Sequence, residues 1–365
     1  MATWTKKIGY PVITVEEHGS KLHLTQNRYL RTADVKPEED ETLWPIFLGL
    51  RTNSGIDESL IFKTRDTTII LDNPAFYKLN ANHTGLYRTL YPPARLTKLV
   101  QATHLLSTED RAGFLGDAGD LATSGYQKTS SLLDLLSGLK NEQEYVVWSE
   151  IASRIGSIKA AWLFESKEVL KGLEKFQSDL FSPIAHEIGW DFKPGDSDIL
   201  QQLKALAFRE AGNGGDEEVV TAAKEMFKNF ADGDVDAINP NIRSPVYDIM
   251  LQHGDNDGEK EVCFTSSYRA PMILTLWQWE IIHKVYLNGR TSDERNIALR
   301  SLGYSENAEN IKKTLDLCFN GEVKEQDVSN SCPHSGPPFI NTSRSTNQSG
   351  VSAPTPPGRK PFGPG

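Results

Sequence analysis

The feature that most constrains the fold is a change of pattern near residue 92. Before it, short runs rich in β-branched and aromatic residues are separated by Gly, Pro, Asn and Asp. The runs lie at residues 8–15, 21–30, 44–50, 59–63, 67–71 and 85–91. The string K-L-H-L-T at residues 21–25 alternates polar with apolar residues, as a half-buried strand does. Several short strands at this spacing predict a small β-sandwich domain over residues 1–92.

From residue 93 to residue 328 the apolar residues recur with a helical period. Two apolar stripes are formed by Leu132, Leu133, Leu135, Leu136 and Leu139, and by Tyr145, Trp148, Ile151 and Ile155. Ser107 and Thr291 are typical helix starts, and Glu294 completes a capping box with Thr291. Many short helices joined by brief connections predict an all-α superhelical domain of the HEAT or armadillo kind, although no regular repeat period is visible.

The last segment, residues 329–365, has a third composition. Pro, Gly, Ser, Thr and Asn dominate it, and large apolar residues nearly vanish. Such a segment cannot bury enough apolar surface to offset the chain entropy that folding would remove. We therefore expect a disordered C-terminal tail.

Charge and cysteine content limit the partners and the compartment. The chain of 365 residues carries a formal net charge of -10. Because phosphate binding needs clustered Lys and Arg, this balance argues against a nucleic-acid partner. Three cysteines do not make a disulfide framework in a chain of this length, which favours a reducing, cytoplasmic compartment. The apolar stretch at residues 271–279 is too short to cross a bilayer, so no membrane span is predicted.

One segment resembles a zinc motif and departs from it at the decisive position. His186-Glu187-Ile188-Gly189-Trp190 begins like H-E-x-x-H, in which two imidazoles on one helix face reach one zinc ion. Trp190 cannot ligate a metal, and Gly189 weakens the helix that would have to hold the ligands. We therefore expect no metal site here, and we place His186 and Glu187 at the polar end of a helix that stops at Gly189.

Motifs for other kinds of catalysis are not found. The sequence has no G-x-S-x-G elbow, and its cysteines stand in no recognisable motif. The glycine-rich segment at residues 212–216 has no strand before it and no Lys-Ser/Thr after it. It is more typical of a connection between two helices than of a phosphate-binding loop. The residues of this chain thus predict no catalytic group.

A series of short motifs covers nearly all of the chain before residue 329. In chain order they are W-T-K-K-I-G-Y-P-V-I at residues 4–13, R-Y-L at 28–30, W-P-I at 44–46, N-A-N-H-T-G-L-Y-R-T-L-Y at 80–91, L-S-T-E-D-R-A at 106–112, E-Y-V-V-W at 144–148, I-G-W at 188–190, I-N-P-N-I-R at 238–243 and E-Q-D at 325–327. In this order and spacing they resemble the β-sandwich and C-terminal helical domain of the puromycin-sensitive type of zinc aminopeptidase, most densely its fungal cytosolic members. Pro45 is shifted relative to the family's W-x-[IV]-P-[IV] strand.

The resemblance implies a function and a set of missing parts. Enzymes of this family remove single residues from peptide N-termini, with zinc held by H-E-x-x-H and a later Glu, and with a G-[AG]-M-E-N strand binding the substrate amine. This chain contains neither motif. The resemblance therefore implies a non-catalytic C-terminal portion whose helical domain caps the active site and forms a peptide chamber. The implied partners are peptides on the concave helical face and a catalytic domain in cis or in trans.

Lys159 is the one candidate for a peptide contact. In some relatives, residues of the helical domain contact the C-terminus of the bound peptide, and Lys159 falls near one such position. An ordinary solvated lysine on a helix is the plainer interpretation. A different function also remains open, namely a stand-alone helical-repeat scaffold that binds peptides or proteins on its concave face.

Two segments depart from the family pattern. Residues 262–284 have no counterpart in it, and residues 329–365 replace the rest of the helical domain. The first could be a lid or a docking helix. Alternatively both could be retained introns, because Val262-Cys263 and Val328-Ser329 can be encoded by codons that resemble 5′ splice sites. Together with a beginning at the family's domain junction, this favours the hypothesis of an incomplete gene model.

Overall fold

The computed structural model describes residues 2–253, 274–305, 307–324 and 326–328. Its contacts divide into two compact units. The first comprises Met1–Ala222 and Asn239–Pro245, and the second comprises the other described residues. The predicted disordered tail at 329–365 lies outside the described residues, as do residues 262–273 of the atypical segment.

The region before residue 92 is built from short strands in three small sheets. The strands are β1 (Pro11–His18), β2 (Lys21–Arg28), β3 (Ile46–Phe47), β4 (Leu50–Thr52), β5 (Gly55–Asp57), β6 (Ile61–Phe62), β7 (Asp66–Ile70), β8 (Tyr77–Lys78) and β9 (Arg88–Leu90). The sheet orders are β7-β2-β1-β9, β3-β6 and β5-β4-β8. β5 and β8 lie outside the predicted runs, because neither belongs to a longer run of β-branched and aromatic residues.

The hairpin of β1 and β2 is the backbone of the largest sheet. The strands pair antiparallel from Pro11↔Arg28 to His18↔Lys21, and Gly19 turns the chain with a positive φ of 63°. Leu22 and Leu24 are fully buried while their neighbours in β2 are more exposed, which confirms the predicted alternation. β9 then returns parallel to β1 and carries the chain to the helices.

The described chain after β9 is mainly helical, and one short helix also precedes β1 at the N-terminus. The helices are α1 (Ala2–Lys6), α2 (Pro93–Gln101), α3 (Thr108–Thr123), α4 (Thr129–Ser137), α5 (Tyr145–Ala161), α6 (Lys167–Ile188), α7 (Asp198–Asn213), α8 (Glu217–Ala231), α9 (Arg243–His253), α10 (Leu274–Asn288), α11 (Ser292–Leu302) and α12 (Ala308–Phe319). A β region followed by an all-helical region is the predicted fold class, which is confirmed. None of the described helices has the length and apolarity needed to cross a membrane.

Local signals placed several helices correctly. Ser107 caps α3 in a capping box with Asp110, and Thr291 caps α11 by accepting from the backbone N–H of Glu294. The Glu294 side chain accepts from the backbone N–H of Arg290. Most residues of the two predicted stripes point into the core: Leu132, Leu135, Leu136, Leu139, Trp148, Ile151 and Ile155 are buried, whereas Leu133 and Tyr145 are partly exposed.

The second unit has a core of its own. Phe227 and Tyr247 meet edge to face at 6.0 Å. α10 runs unbroken across residue 284, which was the predicted end of the atypical segment. Trp279 is buried on α10, and its indole Nε1 donates to Oγ1 of Thr314 on α12 at 2.9 Å. The last part of the atypical segment is therefore part of this core.

Candidate functional site

Lys159, the predicted peptide contact, lies in the last turn of α5. Its side chain is half-buried, between the buried Ile158 and the exposed Ala160. A cation in the last turn of a helix is favoured by the negative end of the helix dipole. The position thus suits an ammonium group on electrostatic grounds, and a role in peptide binding stays a prediction.

The segment that resembles a zinc motif ends a helix, as predicted. α6 stops at Ile188, and Gly189 follows with a positive φ of 64°. Nε2 of His186 lies 2.9 Å from Oδ2 of Asp216, whose other oxygen accepts from the backbone N–H of Val219 at the start of α8. Burial raises the pKa of the Asp216 carboxyl, but its hydrogen bonds outweigh this and hold the pKa below its ordinary value. His186 thus joins the end of α6 to the start of α8.

The described residues do not offer a metal site. No group of three or more His, Cys, Asp or Glu side chains within them is arranged to hold a metal ion. Trp190, which stands where the motif needs a second histidine, packs its ring edge to face on His186 at 5.9 Å and on Phe208 at 5.7 Å. An aromatic contact therefore takes the place of metal ligation, and the zinc of the resembling family does not fit these residues.

The glycine-rich segment at residues 212–216 connects α7 to α8, as predicted. A Cβ on Gly214 would lie 2.7 Å from the backbone nitrogen of Ser178 on α6, and Gly215 has a φ of 83°. The two glycines are needed for a close approach of helices and for a left-handed turn. They give no indication of a phosphate site.

A buried ion-pair cluster joins the β region to α3. The carboxylate of Asp110 lies 2.8 Å from Nζ of Lys78 and 2.9 Å from Nε of Arg51. It also accepts from the backbone N–H of Asn82 at 2.7 Å and forms the capping box with Ser107. Lys78 is 1% exposed. Burial lowers the pKa of its ammonium, although the neighbouring Asp110 raises it. One carboxylate thereby holds β4, β8 and the start of α3 together.

A second cluster lies two turns further along α3. Asp117 accepts from Nη1 of Arg88 at 2.9 Å and from the backbone N–H of Thr89 at 3.0 Å. Arg88 also pairs with Asp120, whose other oxygen lies 2.5 Å from Nη1 of Arg154 on α5. Burial raises the pKa of the Asp117 carboxyl, although the neighbouring cations lower it. The edge strand β9 is thus fixed to α3 by paired charges, and Asp120 in turn links α3 to α5.

A strained loop completes this junction. Asn80, Asn82 and His83 have φ values of 58°, 55° and 53°, in the left-handed region that costs a non-glycine residue energy. The side chain of Asn80 bonds both the backbone N–H and the carbonyl of Gly85, at 2.7 and 3.0 Å. A Cβ on Gly113 of α3 would lie 2.3 Å from the ring of His83. The motif at residues 80–91 therefore marks where the sheets meet the helices.

The charged residues of this junction carry no sequence signal of their own. Lys78, Asp110, Asp117 and Arg154 look in the sequence like ordinary surface charges. The available signal was indirect, since Asp110 and Arg88 both stand inside the motifs that carry the family resemblance. Because these charges are paired and withdrawn from solvent, they can position elements but are poorly placed to bind a substrate.

Two adjoining clefts lie beside the junction. Their volumes are about 470 and 590 Å³, and they share Pro93 and Ser131 in their walls. The first lies between α2 and α4, and the second is walled by β1, β9 and the chain before α4. Asp134 lines the first cleft, and Lys128 lines the second together with the phenols of Tyr91 and Tyr126. Neither cleft brings together a carboxylate and a cation among its lining residues.

A family model and several relatives that resemble this chain agree with one another. The sequence matches the ERAP1-like C-terminal domain over residues 76–332. It is 44% identical over 333 residues to aminopeptidase 2 of Candida albicans, covering 90% of this chain and 34% of the relative. It is 39% identical to "aminopeptidase 2, mitochondrial" of Saccharomyces cerevisiae, covering 90% and 32%, and 28% identical to glutamyl aminopeptidase of Sus scrofa, covering 90% and 34%. The chain spans about a third of the length of these relatives.

Proposed function

The chain belongs to the aminopeptidase family that carries the ERAP1-like C-terminal domain, and we propose that it acts as the non-catalytic C-terminal portion of a zinc-dependent aminopeptidase. In this function the helical region covers the active site and bounds a chamber that holds the peptide. The enzyme removes residues from the N-termini of peptides. We further propose that it works in the cytoplasm.

The extent of the family match carries this proposal. Relatives named as aminopeptidases align with 90% of this chain, so nearly every described element has its counterpart in such an enzyme. The aligned part is about a third of each relative. A shared region of that size, matched by a C-terminal domain family, supports a domain-level role inside a larger enzyme.

The chemistry of the described residues supports a role without catalysis. Among them, no group of three or more His, Cys, Asp or Glu side chains is arranged to hold a metal ion, and the buried charges at the sheet–helix junction are paired with one another. On this proposal the catalytic metal belongs to a part of the enzyme outside this chain. The chain's own contribution is to position the helical region against that part, either in cis or in trans.

Lys159 is the proposed contact for the C-terminal end of a bound peptide. Lys159 as a whole is partly exposed in the last turn of α5, so a peptide carboxylate could approach it without full desolvation. Such an exposed ion pair contributes at most about 1 kcal/mol, which corresponds to a change of about fivefold in affinity. The contact would tune binding of long peptides and leave the chemical step unchanged.

A chimeric enzyme tests the proposal. In aminopeptidase 2 of Candida albicans, the third that aligns with this chain is replaced by this chain, and hydrolysis is measured on an aminoacyl reporter and on a long peptide. We expect the chimera to hydrolyse both and to lose activity with a zinc chelator. The isolated chain should hydrolyse neither. Chelator-sensitive hydrolysis by the isolated chain would contradict the proposal, as would a folded chimera without activity.

The same chimera tests Lys159. Lys159→Ala should raise KM for the long peptide a few-fold with kcat unchanged, because a contact equally strong in ground state and transition state changes binding alone. The aminoacyl reporter should be unaffected. Lys175→Ala on α6 is the control, since Lys175 is likewise a lysine on a helix surface, with 75% of its side chain exposed. Equal effects of the two substitutions would remove Lys159 from the peptide site.

A further inference from the structure

Strand β7 forms one edge of the largest sheet, because the strand order is β7-β2-β1-β9. Its register with β2 runs without a bulge from Lys21↔Ile70 to Thr25↔Asp66. The residues of β7 read D-T-T-I-I, so the strand contains neither Pro nor Lys. Sheets commonly use Pro, Lys or a bulge to keep an edge from pairing with another strand. β7 has none of the three, and its Thr and Ile residues favour strand pairing.

The hydrogen bonds of β7 to β2 show which backbone groups point away from the sheet. The carbonyl of Arg65, directly before β7, accepts from β2 at 2.9 Å. The backbone N–H of Leu71, directly after β7, donates to the residue before β2 at 2.8 Å. Since the bonding direction alternates along an antiparallel strand, the N–H and C=O groups of Asp66, Thr68 and Ile70 point outward.

These outward groups are open to a further strand. Among the described residues, the backbone N–H groups of Asp66, Thr68 and Ile70 have no acceptor. The carbonyls of Thr68 and Ile70 have no donor there either, and that of Asp66 accepts from Oγ1 of Thr64 at 2.7 Å. All three outward residues are exposed, and Ile70 is 70% exposed. The edge therefore presents a row of backbone donors and acceptors to its surroundings.

A second copy of β7 fits this edge in both hydrogen bonding and charge. In an antiparallel pair centred on Thr68, each Thr68 faces the other and each Asp66 faces Ile70, which allows about six backbone hydrogen bonds. The same register brings Lys63 of one copy beside Asp72 of the other, at both ends of the pair. Both side chains belong to exposed residues, and neither has an ion-pair partner among the described residues. The edge is thus complementary to itself.

We propose that the chain associates with a second copy of itself by antiparallel pairing of the two β7 edges, which joins two four-stranded sheets into one. The interface is isologous, because the same residues face each other across a two-fold axis. It is also small compared with the interfaces of stable dimers. The dimer is therefore weak and forms at high protein concentration. The association goes beyond the proposed function and does not depend on it.

Sedimentation velocity and hydrogen exchange of the whole chain test the pairing together. Sedimentation should show a reversible monomer–dimer equilibrium. Where most of the chain is dimeric, exchange of the backbone amides of Thr68 and Ile70 should slow at least about fivefold. Exchange at Thr67 and Ile69, which face β2, should change less. A chain that stays monomeric up to about 1 mM overturns the proposal, as does a dimer whose outward amides exchange at the monomer's rate.

A proline at the centre of the edge tests the backbone bonds. Thr68→Pro removes an outward N–H and leaves the bonds between β7 and β2 in place, so the folded monomer tolerates it. It should raise the Kd of the dimer at least about tenfold, because the central bond is lost from both copies. Thr68→Val is the matched control, since it also loses the hydroxyl that lies 3.5 Å from Nδ1 of His23 but keeps the N–H. Equal Kd values for the two variants would overturn the pairing.

Charge reversal tests the register without changing the backbone. Lys63→Glu and Asp72→Lys should each raise the Kd, because each places like charges together at both ends of the pair. The double variant should return the Kd toward that of the parent, because the charges are again opposite. A double variant that dimerises no better than either single variant would refute the antiparallel register and with it the proposal.

Discussion

Asp110→Ala should be among the most damaging substitutions in the first unit. The change removes the carboxylate that Lys78 and Arg51 approach to within 3 Å and that the backbone of Asn82 bonds. It also removes half of the capping box that Ser107 begins. Arg51 is partly exposed and can be solvated again, whereas Lys78 is left charged and buried.

The magnitude follows from these separate losses. Breaking one partner of a buried ion pair costs about 3–5 kcal/mol. The lower end applies here, because Nζ of Lys78 still donates to the carbonyls of Leu79 and Asn80 at 3.1 and 2.7 Å. An unsatisfied N–H at Asn82 adds about 1 kcal/mol. We therefore expect Asp110→Ala to lower the free energy of unfolding by about 4 kcal/mol.

Urea denaturation, monitored by hydrogen exchange of the backbone amides of α3, measures this loss of stability in the first unit alone. Asp179→Ala is the matched control, since Asp179 lies 2.9 Å from Nζ of Lys175 but on an exposed helix face. The control should leave the midpoint unchanged because exposed pairs contribute little. Similar urea midpoints for Asp110→Ala and Asp179→Ala would refute the reasoning that burial of the ion pair determines how much stability is lost when it is broken.

The pH dependence of the Asp110→Ala variant gives a second check. Burial lowers the pKa of Lys78 in the folded state, and loss of Asp110 removes the charge that opposes this. The unfolded state then binds more protons than the folded state, so the variant should gain stability as pH rises. A deficit that stays constant or grows with pH would contradict a buried, unpaired ammonium.

Three further predictions concern other sites. Trp279→Ala should lower the free energy of unfolding of the second unit by about 3–5 kcal/mol in urea denaturation, because it leaves a cavity in the core. Thr314→Val removes the acceptor of the indole hydrogen bond and should lower it by about 1–2 kcal/mol. Equal losses would show that the hydrogen bond, and not the packing of the ring, provides the stability. Burial raises the pKa of the Glu142 carboxyl, but hydrogen bonds from Arg111 and from backbone N–H groups outweigh this and hold the pKa below 4.5. The stabilisation from the ionised carboxylate is therefore present above pH 4.5 and is lost as the pH falls through the folded-state pKa. In thermal melts at decreasing pH, Glu142→Gln should lose less stability than the parent, and equal losses would contradict this. His186→Ala and the parent chain should show the same zinc binding in equilibrium dialysis. Loss of one bound zinc per chain in the variant would show that His186 belongs to a metal site.

The features that depend on neighbours along the chain were predictable from the sequence. The caps at Ser107 and Thr291, the stop at Gly189 and the helix–helix connection at 212–216 all follow from bonds and dihedral angles within a few residues. The order of β region and helical region followed from hydrophobic period in the same way. Because each signal is local, it can be recognised in the sequence without knowledge of the tertiary fold.

Other features could not be predicted because their partners are distant in sequence. Lys78 reaches Asp110 and Arg88 reaches Asp117 across about thirty residues, and no spacing rule connects such pairs. Trp279 was expected to belong to a segment without counterpart, yet it packs in the core of the second unit through a partner on another helix. Side-chain burial of this kind is decided by packing and not by the residue's own type.

The sequence by itself determined the fold class and the family, because strand and helix periods and the ordered motifs are written in short stretches of the chain. Only the tertiary structure decided which charges are buried together at the sheet–helix junction and which apolar side chains, such as Phe47 and Ile61, are left exposed. The physical reason is the same for both. A charge or an aromatic ring acquires its energetic role from its burial, and burial is a property of elements that meet in space after being far apart in sequence.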